Sequence, residues 1–135
     1  YTRTVERNSP LGMIESLFVL WGLFIKHAIA DLAIQSFRTP GDKSNLRNPK
    51  GWIHAFDHSA LTFLVIFLAT FNFTNAILIA LLDYVLHFTI DYVKTVIIKK
   101  YQWGIDSKKY WTAQSVDQMA HFSCYLIYVL LLTSV

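Results

Sequence analysis

Four long apolar stretches dominate this chain and leave few choices of fold. Each runs for about 20 to 27 residues, and about 20 are enough for a helix to cross the hydrocarbon core of a bilayer. The 135 residues are 54% hydrophobic and 16% charged, whereas an ordinary soluble domain has about 25% charged residues. The sequence therefore predicts an integral membrane protein of the all-α class, a four-helix transmembrane bundle.

Turn-forming residues set the bounds of the four helices. The pair Ser9-Pro10 is typical of a helix start, residues 38–50 have the composition of a loop, and residues 72–75 form a turn short enough to make its flanking helices antiparallel neighbours. The predicted helices are 11–37, 51–71, 76–99 and 111–133. They form one domain, 11–135, after a polar N-terminal segment, 1–10, which lacks the order of a signal peptide.

Basic residues gather at one end of the predicted bundle. They lie in or beside the first and third loops, and are Arg38, Lys43, Arg47, Lys50, Lys99, Lys100, Lys108 and Lys109. The positive-inside rule predicts that loops 38–50 and 100–110 are cytoplasmic and that both termini are outside. The net charge of +3 does not indicate nucleic acid binding, because the basic residues form no stripe with interleaved aromatic residues.

Every histidine lies four residues from an aspartate or from a second histidine. The sets are His27 with Asp31, His54 with His58, His87 between Asp83 and Asp91, and His121 with Asp117. Residues four apart share a helix face, and counting inward from the basic end places these side chains, except the deeper Asp83, roughly 5 to 18 Å deep. Ionisable groups are costly in hydrocarbon unless they are paired or serve a function. We expect the four faces to meet inside the bundle as one polar layer.

The residue types of this layer predict a metal site. Imidazole suits zinc and iron, and carboxylates suit manganese, whereas the single cysteine, Cys124, cannot build a thiolate site. The predicted ligands are His27, Asp31, His54, His58, His87, Asp91 and His121. Five of them are favoured to bind the metal directly: His27, His54, His58, His87 and Asp91. The predicted cofactor is a divalent metal: zinc, iron or manganese.

A metal centre open to the cytoplasmic headgroups favours hydrolytic chemistry on a membrane lipid. A catalytic metal lowers the pKa of its water towards 7. Asp57 or Asp117 would act as the general base, and Lys94 would hold a phosphate or carboxylate. The leading hypothesis is a metal-dependent hydrolase of a lipid-associated ester or phosphoester.

Two other functions fit the same pattern. The protein could be a non-enzymatic accessory subunit whose polar layer fixes helix packing, with loop 100–110 contacting a protein partner or a second copy. It could also be a proton or metal-ion conduit, although the second and fourth helices carry few polar residues towards the outer face.

Outside the ligand set, Asp83 is as well suited to bonding a neighbouring helix as to a functional role. Lys26 is expected to extend to the headgroups, and Tyr125 and Tyr128 are expected to pack in the bundle.

Four motifs together resemble a known family. They are KHAIADLAIQS, GWIHAFDHSALT, LLDYVLHFTIDYVK and SVDQMAHF, and their order is similar to that in the domain of unknown function family 3307 of small phage and bacterial membrane proteins. The resemblance implies functional roles for His27, Asp31, Gln35, His54, His58, His87, Asp91, Lys94, Asp117, Gln118 and His121. It also implies a bacterial or phage-host inner membrane, and its pattern is similar to that of membrane-bound metal-dependent hydrolases.

Overall fold

The computed structural model describes residues 10–134, so most of the polar N-terminal segment predicted for residues 1–10 lies outside the described residues. The all-α prediction is confirmed, with four helices and no strand in this range. They are α1 (Met13–Arg38), α2 (Pro49–Thr70), α3 (Phe73–Lys100) and α4 (Lys108–Ser134). All four are long and apolar enough to cross a membrane.

The helix starts differ from the prediction by two or three residues. Helix α1 starts later than predicted, whereas the other three start earlier because residues of their first turn were counted as loop. Helix α1 begins at Met13, after Gly12, whose amide donates to Glu15 Oε2 at 3.0 Å. Asn48 precedes α2, and its side chain accepts from the Lys50 amide at 3.0 Å. Such side-chain acceptors satisfy amides that have no partner in the first helical turn.

The later helices follow the same rule. The Asn72 side chain accepts from the Asn75 amide at 3.0 Å, so α3 starts at Phe73 and not at residue 76. Helix α4 starts at Lys108, and the Tyr110 amide donates to Ser107 Oγ at 3.1 Å. The connection between α3 and α4 is therefore 101–107, shorter than the predicted loop 100–110.

The helices pack side by side in chain order, and α1 closes the bundle by contacting both α2 and α4. Helices α2 and α3 make the most extensive contact, since only Phe71 and Asn72 separate them. Gly22 lets α1 approach α2 closely, because a Cβ atom there would lie 3.0 Å from Val65 Cγ1. Small residues at helix crossings serve this purpose in membrane proteins.

The bundle has an apolar half and a polar half. The apolar core lies towards the α2–α3 turn and consists of Val19, Leu23, Ile66, Ala76, Ile79, Tyr125, Tyr128, Val129 and Leu132. The buried histidines and aspartates lie in the other half, towards the two basic loops. Large apolar side chains such as Phe18, Leu32 and Leu68 are exposed on the outside, as expected of a surface that faces lipid.

Helix α1 contains a π-helical segment, Ile29–Ile34, that the sequence did not predict. In an α-helix a step of four residues overshoots a full turn by about 40°, and the wider π-helical turn reduces this overshoot. The segment therefore helps His27, Asp31 and Gln35 to point in one direction. Single π-helical turns inside α-helices are frequent at functional sites.

Candidate metal centre

The five histidines of the four helices meet in one buried group, which we call the histidine cluster: His27, His54, His58, His87 and His121. The His87 ring stacks between two others, with centroid distances of 3.6 Å to His58 and 4.0 Å to His121. Each of these residues is at most 4% exposed. Faces that are far apart along the chain thus meet at one level, as the four-residue spacings predict.

Asp31 joins three of these histidines through their Nε2 atoms. Its Oδ1 atom lies 2.9 Å from His58 Nε2 and 3.2 Å from His54 Nε2. Its Oδ2 atom lies 3.0 Å from His27 Nε2. One carboxylate of α1 therefore links two helices at the centre of the bundle.

Asp91 occupies the corresponding place on α3. Its Oδ1 atom lies 3.1 Å from His121 Nε2. Its Oδ2 atom lies 3.4 Å from the Nε2 atoms of both His54 and His87. All five Nε2 atoms are therefore directed at two carboxylates, and His54 lies between the two.

The donor atoms have the separations that a shared ion requires. Two groups have all their donor atoms within 4.8 Å of one another: Asp31, His54, His58 and His87 form one, and His87, Asp91 and His121 form the other. Donors about 2.1 Å from a tetrahedral ion lie about 3.4 Å apart. The distances of 2.9 to 3.4 Å around Asp31 and Asp91 are close to this value, so the cluster could hold a metal ion.

His87 is buried without hydrogen-bond partners among residues 10–134. Both of its ring nitrogens are buried without a hydrogen bond to any described residue, and so is His54 Nδ1. Buried polar atoms without a partner are uncommon in native structures and call for an explanation. An ion at His87 Nε2 would give a partner to one of these three nitrogen atoms.

His27 differs from the other four because it lies outside both donor groups. Its Nδ1 atom lies 2.6 Å from the Tyr125 hydroxyl, and its Nε2 atom lies 3.0 Å from Gln118 Oε1. With Asp31 also at 3.0 Å, both ring nitrogens have partners. Its contacts are those of a residue that orients the Asp31 carboxylate, and Tyr125 contributes a hydrogen bond as well as the predicted packing.

The prediction that Lys26 extends to the headgroups is wrong. Its side chain is 3% exposed, and Nζ lies 3.0 Å from Asp83 Oδ2 and 3.3 Å from His58 Nδ1. The predicted bonding of Asp83 to neighbouring helices is confirmed, since Thr62 and Tyr128 also donate to it, at 2.7 and 3.0 Å. Lys26 turns inward because Asp83 provides a buried counter-charge at the same depth. The presence in the sequence of Asp83, an acidic residue without a predicted partner, could have indicated this ion pair.

The three residues predicted to be catalytic lie in different surroundings. Asp117 is buried beside the cluster, with Oδ1 3.5 Å from His121 Nε2, and its Oδ2 atom lies 3.2 Å from Lys94 Nζ. Asp57 points away towards Arg38, with 3.2 Å between Oδ2 and Nε. The structure thus brings Asp117 and Lys94 to the histidine cluster and pairs Asp57 with the end of α1.

Lys43, from the loop between α1 and α2, was not predicted to reach the site. Its Nζ atom lies 3.9 Å from Asp91 Oδ2 and donates to the Gln35 side chain. Burial lowers the pKa of the Lys43 ammonium group, while the nearby Asp91 and Asp31 oppose that shift. No sequence pattern could have shown this contact, because residue spacing in a loop does not fix a direction.

The neighbouring residue holds this loop on the bundle. Asp42 Oδ2 lies 2.9 Å from Lys99 Nζ, and Oδ1 accepts from the Ser44 amide at 2.8 Å. Hydrogen bonds from Ser44 and from Lys99 lower the pKa of the exposed Asp42 carboxyl to about 2. The carboxylate therefore stays ionised over the physiological range and keeps the loop next to α3.

A cavity of about 400 Å³ leads from the basic end to Asp31 and Asp91, the two carboxylates that contact the cluster. We call it the polar cavity. Lys43 and Lys94 line it with them, and its other polar side chains are Gln35, Thr95, Tyr110, Gln114 and Gln118. The two central carboxylates are therefore accessible to a polar molecule from one side of the bundle.

Comparisons with known proteins agree with the sequence motifs. The family described as "Protein of unknown function (DUF3307)" matches residues 19–135. These residues include all five histidines and all four helices, in whole or in part. The search of curated proteins found no match, and neither did the search of solved structures.

Proposed function

The chain belongs to the DUF3307 family of proteins of unknown function, and we propose that it is a membrane-bound, metal-dependent hydrolase of a lipid-associated ester or phosphoester. One observation carries this proposal. Five Nε2 atoms converge on the carboxylates of Asp31 and Asp91 at the inner end of a polar cavity. Metal-dependent hydrolysis needs a metal centre, a path by which an anionic group can reach it, and a base nearby.

The residues that would hold the ion are those of the two donor groups: Asp31, His54, His58, His87, Asp91 and His121. A set rich in imidazole favours zinc or iron, and the two carboxylates also suit manganese. When bound, the ion supplies Lewis acidity and makes a water molecule acidic enough to lose a proton near neutral pH. His27 would orient the Asp31 carboxylate through its Nε2 atom, and Tyr125 would hold the His27 ring through Nδ1.

Asp117 is the better placed of the two predicted bases. It is buried beside His121 and is held by Lys94 and by the Gln118 amide at 3.1 Å. In the proposed reaction, the water oxygen bonds to phosphorus or to the carbonyl carbon, and the water proton passes to Asp117. The ester bond to the leaving oxygen breaks, and that oxygen takes the proton from Asp117. Lys94 neutralises the charge of the anionic group during this exchange.

We also propose that the polar cavity opens to the cytoplasm of a bacterial cell. The excess of Lys and Arg in and beside the 39–48 and 101–107 connections supports this orientation under the positive-inside rule. Trp52, Trp103 and Trp111 lie at the same end, as expected of residues at a membrane interface. Both termini would then be outside.

Elemental analysis of the detergent-purified protein tests the proposal. We expect at least one equivalent of zinc, iron or manganese in the wild type and little in His58→Ala or Asp31→Asn. Asp42→Asn is the matched control, because it removes the same charge from an exposed loop, where Asp42 pairs with Lys99, and should leave the metal in place. Turnover of lipid esters should be lost together with the metal. Hydrolysis by protein that is free of metal would overturn the proposal.

A non-enzymatic accessory subunit is the second candidate. The observation that favours it is that His58 Nε2 lies 2.9 Å from Asp31 Oδ1, an ordinary hydrogen-bond distance. A protonated network of this kind could fix helix packing, and the exposed Tyr101 and Ile105 would offer a partner or a second copy a contact. This function predicts purified protein without metal and variants that fail to assemble with a partner.

A further inference from the structure

An apolar groove lies between α3 and α4 on the outside of the bundle. Its volume is about 660 Å³. Its wall includes six aliphatic side chains, Ile90, Val93, Ile97, Ala113, Val116 and Ala120. From Thr89 to Ile97 it follows α3 for about 12 Å, so it can hold a substantial part of one acyl chain. We call it the lateral groove.

The lateral groove meets the polar cavity at Lys94, which lines both. Asp117 also lines the groove, and its carboxylate holds Lys94 at 3.2 Å. A molecule that occupies both spaces must therefore be amphiphilic, with its apolar part between the helices and its polar part beyond Lys94. Lipids in the surrounding bilayer have this shape.

The charges at the junction favour an anionic headgroup. At this junction Lys43 and Lys94 face three carboxylates, those of Asp31, Asp91 and Asp117, so a divalent ion at the cluster leaves one excess positive charge. At the basic end of the groove, Lys109 lies 6.0 Å from the centre of the Trp103 ring, and both line the groove. An anion is attracted from both spaces.

We infer that the lateral groove binds one acyl chain of an anionic membrane phospholipid, with the lipid phosphate in the polar cavity beside Lys94. This assignment names the substrate class of the proposed hydrolase and rests on that function, because the bound ion provides the excess positive charge. The substrate reaches the centre sideways from the bilayer, between α3 and α4.

A second apolar groove, between α2 and α3, provides a comparison within the same molecule. Its volume is about 440 Å³, and it is lined by Phe56, Ser59, Ala60, Phe63, Phe73, Ile77, Ala80, Leu81 and Tyr84. None of these lining residues is charged, and none lines the polar cavity. If apolar shape alone determined binding, lipid would occupy both grooves equally. A headgroup site next to the lateral groove would favour binding of an anionic lipid there.

Photo-crosslinking in nanodiscs tests the inference. The probe is phosphatidylglycerol with a photoreactive acyl chain, compared with phosphatidylcholine carrying the same chain, and labelled positions are read by mass spectrometry. We expect phosphatidylglycerol to label the lateral groove around Val93 and Val116 about ten-fold more than phosphatidylcholine does, which corresponds to about 1.4 kcal/mol. Lys94→Gln should remove this preference. Ala113→Leu with Ala120→Leu should reduce labelling by either lipid, whereas Ala60→Leu in the second groove should not.

Metal content measured on the same samples separates this inference from the proposed function. Labelling that is uniform around the bundle, or equal for the two lipids, in protein that holds metal overturns the lipid assignment and leaves the metal-dependent hydrolase standing. Focused phosphatidylglycerol labelling in protein that holds no metal overturns the hydrolase and the assignment of this lipid as its substrate, and leaves only a lipid-binding groove. A failure of Ala113→Leu with Ala120→Leu to fold does not affect the test, because Lys94→Gln examines the same junction through charge.

Discussion

His87 lies at the centre of the histidine cluster, stacked between His58 and His121 and belonging to both donor groups. His27 has the same side chain at the same depth, yet both of its ring nitrogens already bond to protein groups. Histidines of the same cluster therefore differ in their contacts, and in the proposed metal centre His87 would be a ligand and His27 would position one.

This difference predicts unequal effects on metal affinity. We expect His27→Ala to weaken binding by about 10 to 100-fold, the usual cost of losing a residue that orients a ligand, and His87→Ala to weaken it considerably more. Titration of each purified variant with a chelating competitor measures both. Tighter binding by His87→Ala than by His27→Ala would reverse the assigned roles.

The buried pair of Lys26 and Asp83 makes a separate prediction about stability. Removing one partner leaves a charge buried without a counter-charge, which costs about 3 to 5 kcal/mol. We therefore expect Lys26→Met to destabilise the protein strongly and the double variant Lys26→Met with Asp83→Asn to recover part of the loss. Unfolding in detergent measures both variants. Equal stability of the single and double variants would show that the unpaired charge of Asp83 is not the source of the loss.

At the scale of elements, the site depends on backbone features as well as on helix faces. The π-helical turn Ile29–Ile34 aligns Asp31, and the loop between α1 and α2 brings Lys43 to Asp91. That loop turns at Gly41, whose φ of 109° is unfavourable for a residue with a Cβ atom. The wall of the polar cavity at the basic end therefore relies on one glycine.

Substituting that glycine should loosen the loop without removing a ligand. We expect Gly41→Ala to add about 1 to 3 kcal/mol of backbone strain, to speed amide hydrogen exchange over residues 39–48, and to leave the metal content unchanged. Gly12→Ala is the matched control, because the φ of Gly12 is −70° and its added Cβ would make only ordinary contact with Glu15. Unchanged exchange in Gly41→Ala would show that the loop does not need this turn.

At the scale of the whole molecule, the sequence predicted the architecture and much of the site, because both follow from periodic patterns. The lengths of the apolar stretches predicted four helices. The four-residue spacings predicted which face of each helix carries His54, Asp91 and His121. The same reasoning failed for Lys43, whose approach depends on loop conformation, and for the π-helical turn at Asp31, which no local residue type signals. Lys26 was misplaced because its partner is 57 residues away.

The orientation in the membrane is a prediction at this scale. In a Cys124→Ser background, we expect a cysteine at Ser44 or Ser107, in the two basic connections, to react with a membrane-impermeant thiol reagent only from the cytoplasm. A cysteine at Asn72, in the α2–α3 turn, should react only from the opposite side. Labelling of intact cells compared with inverted vesicles measures this. Reaction of Ser44→Cys in intact cells would place the polar cavity outside.

The most direct test of the metal centre is X-ray absorption spectroscopy of the purified protein at the edges of zinc, iron and manganese. We predict nitrogen and oxygen neighbours about 2.0 to 2.2 Å from the metal, with outer-shell scattering from at least three imidazole rings, and loss of that signal in His87→Ala. The absence of any metal edge above background, or a shell of oxygen atoms without imidazole scattering, would contradict a centre built from the histidine cluster.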